Sequence, residues 1–153
     1  FSEGSGRRND TDILLRVKEK FPDNNFRKDI GGISQEDGDN IESIIYSMLS
    51  KMSGLDVVVG ERFHSLVTAA IAGVPFIAIS YDEKVKALAR ACGMDEYCID
   101  FENEINEDEL AVLIESKFDN LLFNYSEVKE MLAENVKNIA KVADHDFNYI
   151  KDN

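Results

Sequence analysis

Two short runs near the middle of the chain combine glycine, cations and a histidine in a pattern suited to binding a small anion. They are residues 60–65 (GERFHS) and residues 80–84 (SYDEK), and each follows an apolar segment. A guanidinium binds carboxylate or phosphate as a two-pronged fork, an ammonium acts as a point charge, and an imidazole can deliver a proton near neutral pH. Arg62, His64 and Lys84 are therefore candidates for a site that binds and protonates a small substrate carrying two or three negative charges.

Each candidate also has an ordinary structural interpretation. His64 could be a core histidine, although it lies to one side of the expected core stripe of its helix. That stripe consists of Phe63, Leu66, Val67, Ala70 and Ile71. Arg62 could form an ion pair with Glu61 or Asp82, because structural ion pairs are common. Lys84 could be a solvated helix lysine, since charged side chains normally coat the outer face of a helix.

The elements around these residues predict a strand, a helix and a second strand. Residues 56–60 (DVVVG) and 75–81 (PFIAISY) are short apolar strands, and a helix is expected over 62–72. Parallel strands joined by one helix carry their following turns to the same sheet edge, where ligands of open α/β sheets bind. Gly60 would allow close backbone approach, and the helix N-terminus after it would favour an anion.

Helical spacing imposes a condition on this site. Residues i and i+2 of a regular helix point about 200° apart, so Arg62 and His64 cannot share a face in mid-helix. They can act on one ligand only if Arg62 lies at or before the helix cap.

The rest of the chain extends the same α/β pattern. A strand is expected over 97–101, and a long terminal helix from about 126 carries more apolar surface than a small lobe needs to cover. Further helices are expected over 11–20, 40–53, 83–92 and 107–118. The helix over 40–53 has apolar residues at helical spacing that predict one buried face: Ile41, Ile44, Ile45, Met48, Leu49 and Met52. Continuous apolar strands indicate an open, mostly parallel sheet with helices on both faces, a Rossmann-like lobe formed by residues 1–153 as a single domain.

Composition narrows the classes of function. The 153 residues carry a formal net charge of −13, which disfavours nucleic acid and anionic membrane surfaces as partners. No apolar run approaches the roughly 18 residues of a membrane span. Cys92 and Cys98 fit free thiols in a reducing cytoplasm, and His64 and His145 lack any metal-ligand spacing, so we expect no metal.

The segment from Gly60 to Lys84 resembles the signature of polysaccharide pyruvyl transferases. The resemblance is carried by residues 60–65, by Ala69 and Ala70, by residues 73–75 (GVP) and by Ile79 to Asp82 with Lys84. It is dense over this segment and looser up to the terminal helix. Such a resemblance implies a two-lobed, glycosyltransferase-B-like enzyme that moves a pyruvyl group from phosphoenolpyruvate onto a sugar of a cell-surface polysaccharide.

The resemblance also implies roles for individual residues. His64 would be the general acid, Arg62 and the backbone at Phe63 would bind the donor's phosphate or carboxylate, and Lys84 would bind donor charge. With Gly60 and Ser65 these residues form the expected donor site, which uses no cofactor and no metal. This chain would be the C-terminal donor-binding lobe in the cytoplasm, with little or no transferase activity by itself, because the family's other donor-binding arginine belongs to an N-terminal lobe.

Two other functions are compatible with the fold. A nucleotide-sugar-binding lobe of a glycosyltransferase would use the same edge, but such enzymes often carry two glutamates eight positions apart, and here Glu61 is followed at that distance by Ala69. A non-catalytic interaction module is the other alternative, supported by the apolar end of the terminal helix at Phe147, Tyr149 and Ile150.

Overall fold

A three-stranded parallel sheet organises the fold in the computed structural model, which describes residues 40–101 and 105–152. The helix expected over 11–20 lies outside the described residues. In chain order the elements are α1 (Ile41–Ser53), β1 (Val58–Gly60), α2 (Phe63–Ile71), β2 (Phe76–Ser80), α3 (Glu83–Ala91), a 3₁₀ turn (Asp95–Tyr97), β3 (Cys98–Asp100), α4 (Glu107–Phe123) and α5 (Tyr125–Asp152). The predicted α/β class and long C-terminal helix are confirmed.

The central strand β2 is covered on both faces. Its neighbours are β1 and β3 in the order β1-β2-β3, with Gly60 paired to Ala78 and Asp100 paired to Ser80. Successive strand residues point to opposite faces, and all five residues of β2 are buried. Helices α2, α3 and α4 all contact this strand, so the sheet is the middle layer of the lobe.

The two crossover helices lie side by side. Right-handed connections from β1 to β2 and from β2 to β3 place α2 and α3 on the same face of the sheet, and these two helices contact each other. Their N-termini therefore sit next to each other at the edge formed by the carboxyl ends of the strands.

Helix α5 runs along the opposite edge, at the amino ends of the strands. The Tyr125 hydroxyl at its start donates to the carbonyl oxygen of Asp56, just before β1, at 3.1 Å. Further along, Met131 and Asn135 lie against Gly93, which follows α3. Within the described ranges no helix is both long and apolar enough to cross a membrane.

Two sequence predictions about helix faces are wrong. The apolar stripe of α1 is buried at Met52, but Ile41, Ile45 and Met48 are exposed, because only the end of this helix nearest β1 reaches the core. In α2, Leu66 and Ala70 are buried as expected. Phe63 and Ile71 are exposed instead, since they lie at the two ends of a nine-residue helix, beyond the sheet it packs on.

Candidate active site

The two turns singled out by sequence lie at neighbouring positions on one sheet edge. The first turn follows β1 and opens α2, and the second follows β2 and opens α3. Because β1 and β2 are adjacent and parallel, both turns leave the sheet on its carboxyl side, where ligands of open α/β sheets bind. The structure thus brings the Arg62 turn and the Lys84 turn together.

Arg62 is the N-cap residue of α2. Its backbone is extended, with φ −88° and ψ 127°, and its side chain makes no capping hydrogen bond. The condition set by helical spacing is met, because a residue outside the helical spiral can direct its side chain toward the same region as His64. Arg62 and His64 are both exposed.

Phe63 and His64 open the helix as an exposed pair. Phe63 is the first helical residue, and its ring meets the His64 imidazole edge-on, with centroids 5.8 Å apart and an interplanar angle of 84°. The Thr68 hydroxyl donates to the His64 carbonyl oxygen at 2.8 Å. His64 is therefore on the surface beside an aromatic ring and is not a core histidine.

Gly60 and Ser65 fix the shape of the first turn. The Ser65 hydroxyl donates to the Arg62 carbonyl oxygen at 2.8 Å and so reinforces the cap. A Cβ atom at Gly60 would lie 3.3 Å from Cδ2 of Leu66, whose side chain is fully buried. A glycine here lets the strand end approach the first turn of α2 closely.

The second turn is held by a chain of hydrogen bonds. Ser80 is fully buried, and its hydroxyl donates to the Asp82 carbonyl oxygen at 2.7 Å. The Asp82 carboxylate caps α3 by accepting from the backbone N–H of Lys84 at 2.8 Å and of Val85 at 3.1 Å. Lys84 itself is exposed, so its ammonium projects from a turn whose backbone is fixed.

The two helix N-termini differ in how they can receive an anion. A helix N-terminus carries partial positive charge on backbone N–H groups that lack partners within the helix. At α3 the Asp82 carboxylate already binds these groups. At α2 the N-cap side chain is a guanidinium, which has no acceptor to offer. The arrangement therefore favours an anion at α2, with Lys84 contributing charge from the neighbouring turn.

Sequence reasoning gave no role to three residues that build this edge: Ser80, Lys86 and Asp100. Lys86 is only 8% exposed, and its ammonium lies 2.8 Å from the Asp100 carboxylate at the end of β3. A signal was present in the sequence, because Asp100 interrupts the apolar run YCIDF where a strand is expected to end. The buried position of Lys86 has no such signal, since lysines are normally exposed.

Within residues 40–101 and 105–152 no three His, Cys, Asp or Glu side chains cluster closely enough to hold a metal ion. The absence of a metal or cofactor from the reaction stays a prediction.

Comparison with known proteins identifies the family. The model of the polysaccharide pyruvyl transferase family matches residues 5–83, just over half of the chain. The amylovoran biosynthesis protein AmsJ of Erwinia amylovora is 26% identical over 86 residues, which make up 56% of this chain and 20% of that protein. No solved structure matches the chain. The match includes the whole Arg62 turn and ends one residue before Lys84, and on this evidence the chain belongs to the polysaccharide pyruvyl transferase family.

Proposed function

We propose that this chain is the donor-binding lobe of an enzyme that moves a pyruvyl group from phosphoenolpyruvate onto a sugar of a cell-surface polysaccharide. The observation that carries the proposal is the juxtaposition of Arg62 and His64 at the start of α2 with Lys84 at the start of α3, on neighbouring parallel strands. This edge carries the positive charges of Arg62 and Lys84, the N-terminus of α2 and the imidazole of His64. A donor that carries both a phosphate and a carboxylate matches that charge arrangement.

Each residue has a defined role in the proposed reaction. Arg62 and the backbone N–H of Phe63 bind one anionic group of the donor, Gly60 gives the backbone room to approach it, and Ser65 holds the cap in shape. Lys84 binds a second anionic group. The roles need no metal and no cofactor from the protein.

The imidazole of His64 supplies the proton that starts the reaction. Protonation of the terminal enol carbon makes the adjacent carbon electrophilic, and a sugar hydroxyl attacks it to form a new C–O bond. The phosphate leaves with its electron pair, and a second hydroxyl of the same sugar closes the cyclic ketal. The proton of the first hydroxyl returns to the His64 imidazole, and the proton of the second leaves with the phosphate. Positive charge at Arg62 and Lys84 stabilises the negative charge that accumulates on the leaving phosphate.

The acceptor side of the reaction is expected to require a second lobe. The aligned segment makes up only 20% of the length of AmsJ, so this chain accounts for a small part of such a protein. We infer that the 153-residue chain has little or no transferase activity by itself and works in the cytoplasm as part of a larger polypeptide. The name of AmsJ refers to amylovoran biosynthesis, which suggests exopolysaccharide synthesis as the setting for this chain as well.

The proposal is tested with the longest natural polypeptide that contains this chain. Binding of phosphoenolpyruvate is measured by calorimetry, and turnover by release of inorganic phosphate in the presence of a panel of sugar acceptors. His64→Ala is expected to lower kcat by about 10² to 10⁴, the usual contribution of a general acid. Arg62→Ala is expected to weaken donor binding by about tenfold or more, because a charge-assisted bond to an anion is lost.

His145→Ala is the matched control, because His145 is the other histidine of the chain and lies on α5, outside the proposed site. It should leave binding and turnover unchanged. Phosphate release from phosphoenolpyruvate that is the same with and without a sugar acceptor, or a His64→Ala variant as active as the control, would contradict the proposal. Tight binding of a nucleotide sugar in place of phosphoenolpyruvate would favour the glycosyltransferase alternative.

A further inference from the structure

Lys86 is a buried charged side chain to which the proposed reaction gives no part. It lies in the first turns of α3, two residues after Lys84, and is 8% exposed. Its ammonium is 2.8 Å from Oδ2 of Asp100 and 3.3 Å from Oε1 of Glu83. A lysine so deeply buried is uncommon unless it is paired, and here the pairing joins two different elements.

The pairing ties the start of α3 to the sheet. Asp100 is the last residue of β3 and pairs in register with Ser80, the last residue of β2. Glu83 is the first residue of α3. The ammonium of Lys86 therefore connects the first turn of α3 to the carboxyl end of β3, beside the strand from which the Lys84 turn departs.

Two contacts link the residues just before α3 to the end of β3: the Phe101 amide donates to the Ser80 carbonyl oxygen at 2.9 Å, and the ring centroids of Tyr81 and Phe101 lie 4.8 Å apart. The capping hydrogen bonds of α3 lie within the turn. The Asp82 carboxylate caps its own helix, and the Ser80 hydroxyl donates to the carbonyl oxygen of Asp82. The hydrogen bond from Lys86 N to Asp82 O is long, at 3.5 Å, which is beyond the usual range for a backbone bond. The contacts of Ser80 and Tyr81 hold residues before the helix, whereas the Lys86–Asp100 pair links the helix itself to β3.

Stability alone does not explain this arrangement well. An ion pair with a buried member often contributes little net stability, because the cost of removing that charge from water offsets the attraction. The Asp100 side chain is 50% exposed, so it would remain hydrated if its partner were lost. Methionine fills nearly the same volume as the lysine stem, so Lys86→Met should fold with a melting temperature close to that of the wild type.

We propose that Lys86 is a positioning residue of the donor site, whose ammonium clamps the first turn of α3 to the end of β3 and thereby sets where Lys84 meets the donor. The inference rests on the proposed function in assigning Lys84 to the donor. The clamp itself is a property of the fold and can be tested separately. Lys86 need not touch the donor for this role.

The first test follows the clamp in the 153-residue chain by amide hydrogen exchange. Lys86→Met should speed exchange of the Lys84 and Val85 amides, which Asp82 caps, by about tenfold or more, as expected when a helix end opens locally. The Met94 amide lies just beyond the far end of α3 and donates to the Ala89 carbonyl oxygen. Its exchange rate should not change. Unchanged exchange at Lys84 and Val85 would overturn the clamp whatever the protein catalyses.

The second test uses the longer natural polypeptide and steady-state kinetics. Lys86→Met is expected to raise KM for phosphoenolpyruvate by about five- to tenfold while kcat changes by less than about twofold, the pattern of lost donor binding. Asp100→Asn should act in the same direction. The double variant should be no worse than the more affected single variant, because both substitutions break one link.

Lys141→Met and Asp119→Asn are matched controls, because both residues are exposed on helices outside the site. They should leave KM unchanged. A KM for Lys86→Met equal to that of Lys141→Met, in an enzyme that does turn over the donor, would overturn the positioning role and leave the proposed function intact. A wild-type protein without turnover would instead defeat the proposed function, and the exchange experiment would still decide the clamp.

Discussion

The Arg62 side chain can donate hydrogen bonds but cannot accept them. It occupies a helix position that usually carries a hydrogen-bond acceptor. Ser, Thr, Asp and Asn are preferred at N-caps because their oxygens bind the first backbone N–H groups. Arg62 cannot do this, and its side chain makes no capping bond. Asp82, by contrast, caps α3 in the usual way, and in the proposed donor site this difference gives the two turns different roles. In that proposal the start of α2 binds an anionic group of phosphoenolpyruvate, and the start of α3 presents Lys84 from a turn that Asp82 caps.

Gly60 is the site residue whose substitution has the clearest expected effect on folding. In Gly60→Ala the new Cβ would lie 3.3 Å from the buried Leu66 side chain, which has little room to move. We expect a loss of about 1 kcal/mol in the free energy of unfolding, as is usual for mild overpacking. The midpoint of urea unfolding measures this change.

Gly54→Ala is the control for that experiment. A Cβ at Gly54 would lie 3.6 Å from the Lys51 carbonyl oxygen, an ordinary van der Waals distance, so the change in unfolding free energy should stay within about 0.5 kcal/mol. Equal midpoints for the two variants would show that the approach of β1 to α2 is looser than the structure indicates.

Only some residues of the candidate site could be predicted from the sequence. Arg62, His64 and Lys84 could be selected from residue type and from their position after apolar strands. Phe63 could not be placed correctly, because periodicity assigned its ring to the core, while the structure leaves it 37% exposed next to His64. Lys86 was missed because burial of a lysine depends on Asp100, a partner on another element that no local pattern identifies.

At the scale of elements, two glycines end α2 and α3 in the left-handed conformation. Gly73 has φ 70° and Gly93 has φ 73°. They differ in surroundings: a Cβ at Gly73 would meet nothing within 4 Å, whereas a Cβ at Gly93 would lie 2.6 Å from Nδ2 of Asn135 and 3.1 Å from Sδ of Met131. The second glycine therefore serves both the turn and the packing of α5 against α3.

Gly73→Ala and Gly93→Ala separate these two effects. Gly73→Ala should lower the unfolding free energy by about 1 kcal/mol, the cost of a left-handed residue with a side chain. Gly93→Ala should lower it by about 2 kcal/mol or more, because overpacking adds to the same backbone strain. Chemical denaturation measures both variants, and equal losses would contradict close packing of α5 on this turn.

Along residues 125–145 of α5, the buried side chains lie near the start of the helix. Leu132 is fully buried, whereas Val142 is 62% exposed. Leu132→Ala should therefore cost about 2–5 kcal/mol, and Val142→Ala, its control on the same helix, less than about 0.5 kcal/mol. Thermal unfolding of the two variants provides the measurement. A large loss for Val142→Ala would mean that the second half of the helix is covered by another part of the protein or by a second copy.

Helices and strands were predictable where apolar runs are separated by turn residues. The strands β1, β2 and β3 and the helices α2 and α3 follow from apolar runs separated by turn residues, and each was predicted to within two residues at either end. Helix α4 extends to Phe123, five residues past its predicted end, because no glycine or proline stops it earlier. The exposed stripe of α1 shows that an amphipathic pattern identifies a helix, but it does not say how much of the stripe its neighbours cover.

At the scale of the whole molecule, the segment that matches the family model ends inside the folded lobe. The match ends at residue 83, yet β3 and helices α3 to α5 complete the sheet and its cover. The Arg62 turn thus lies within the part that is similar to the family, and Lys84, Lys86 and Asp100 lie just beyond it. The candidate site depends on both parts, since α3 is anchored to a strand outside the match.

The response of the fold to alkaline pH can be predicted from the buried thiol of Cys92, the partly buried thiol of Cys98 and the buried phenol of Tyr97. Burial raises the pKa of Cys92 and of Cys98, and the Asp100 carboxylate raises the pKa of Cys98 further. Burial, followed by the Glu96 carboxylate, raises the pKa of Tyr97. Above the ordinary thiol pKa of 9.0, the unfolded chain therefore releases protons that the folded chain retains.

Ionisation of the two thiols and the phenol then favours the unfolded state. The stability that their protonated forms confer is present below their ordinary pKa values and is lost as the pH rises through their folded-state pKa values. We expect the urea midpoint of the 153-residue chain to fall steadily between about pH 8.5 and pH 10.5. A Cys92→Ala, Cys98→Ala double variant should start from a lower midpoint, because a buried side chain has been truncated, but its midpoint should decline less steeply. Parallel declines for the two proteins would show that the thiols do not govern alkaline unfolding, and Tyr97→Phe would then test the phenol in the same way.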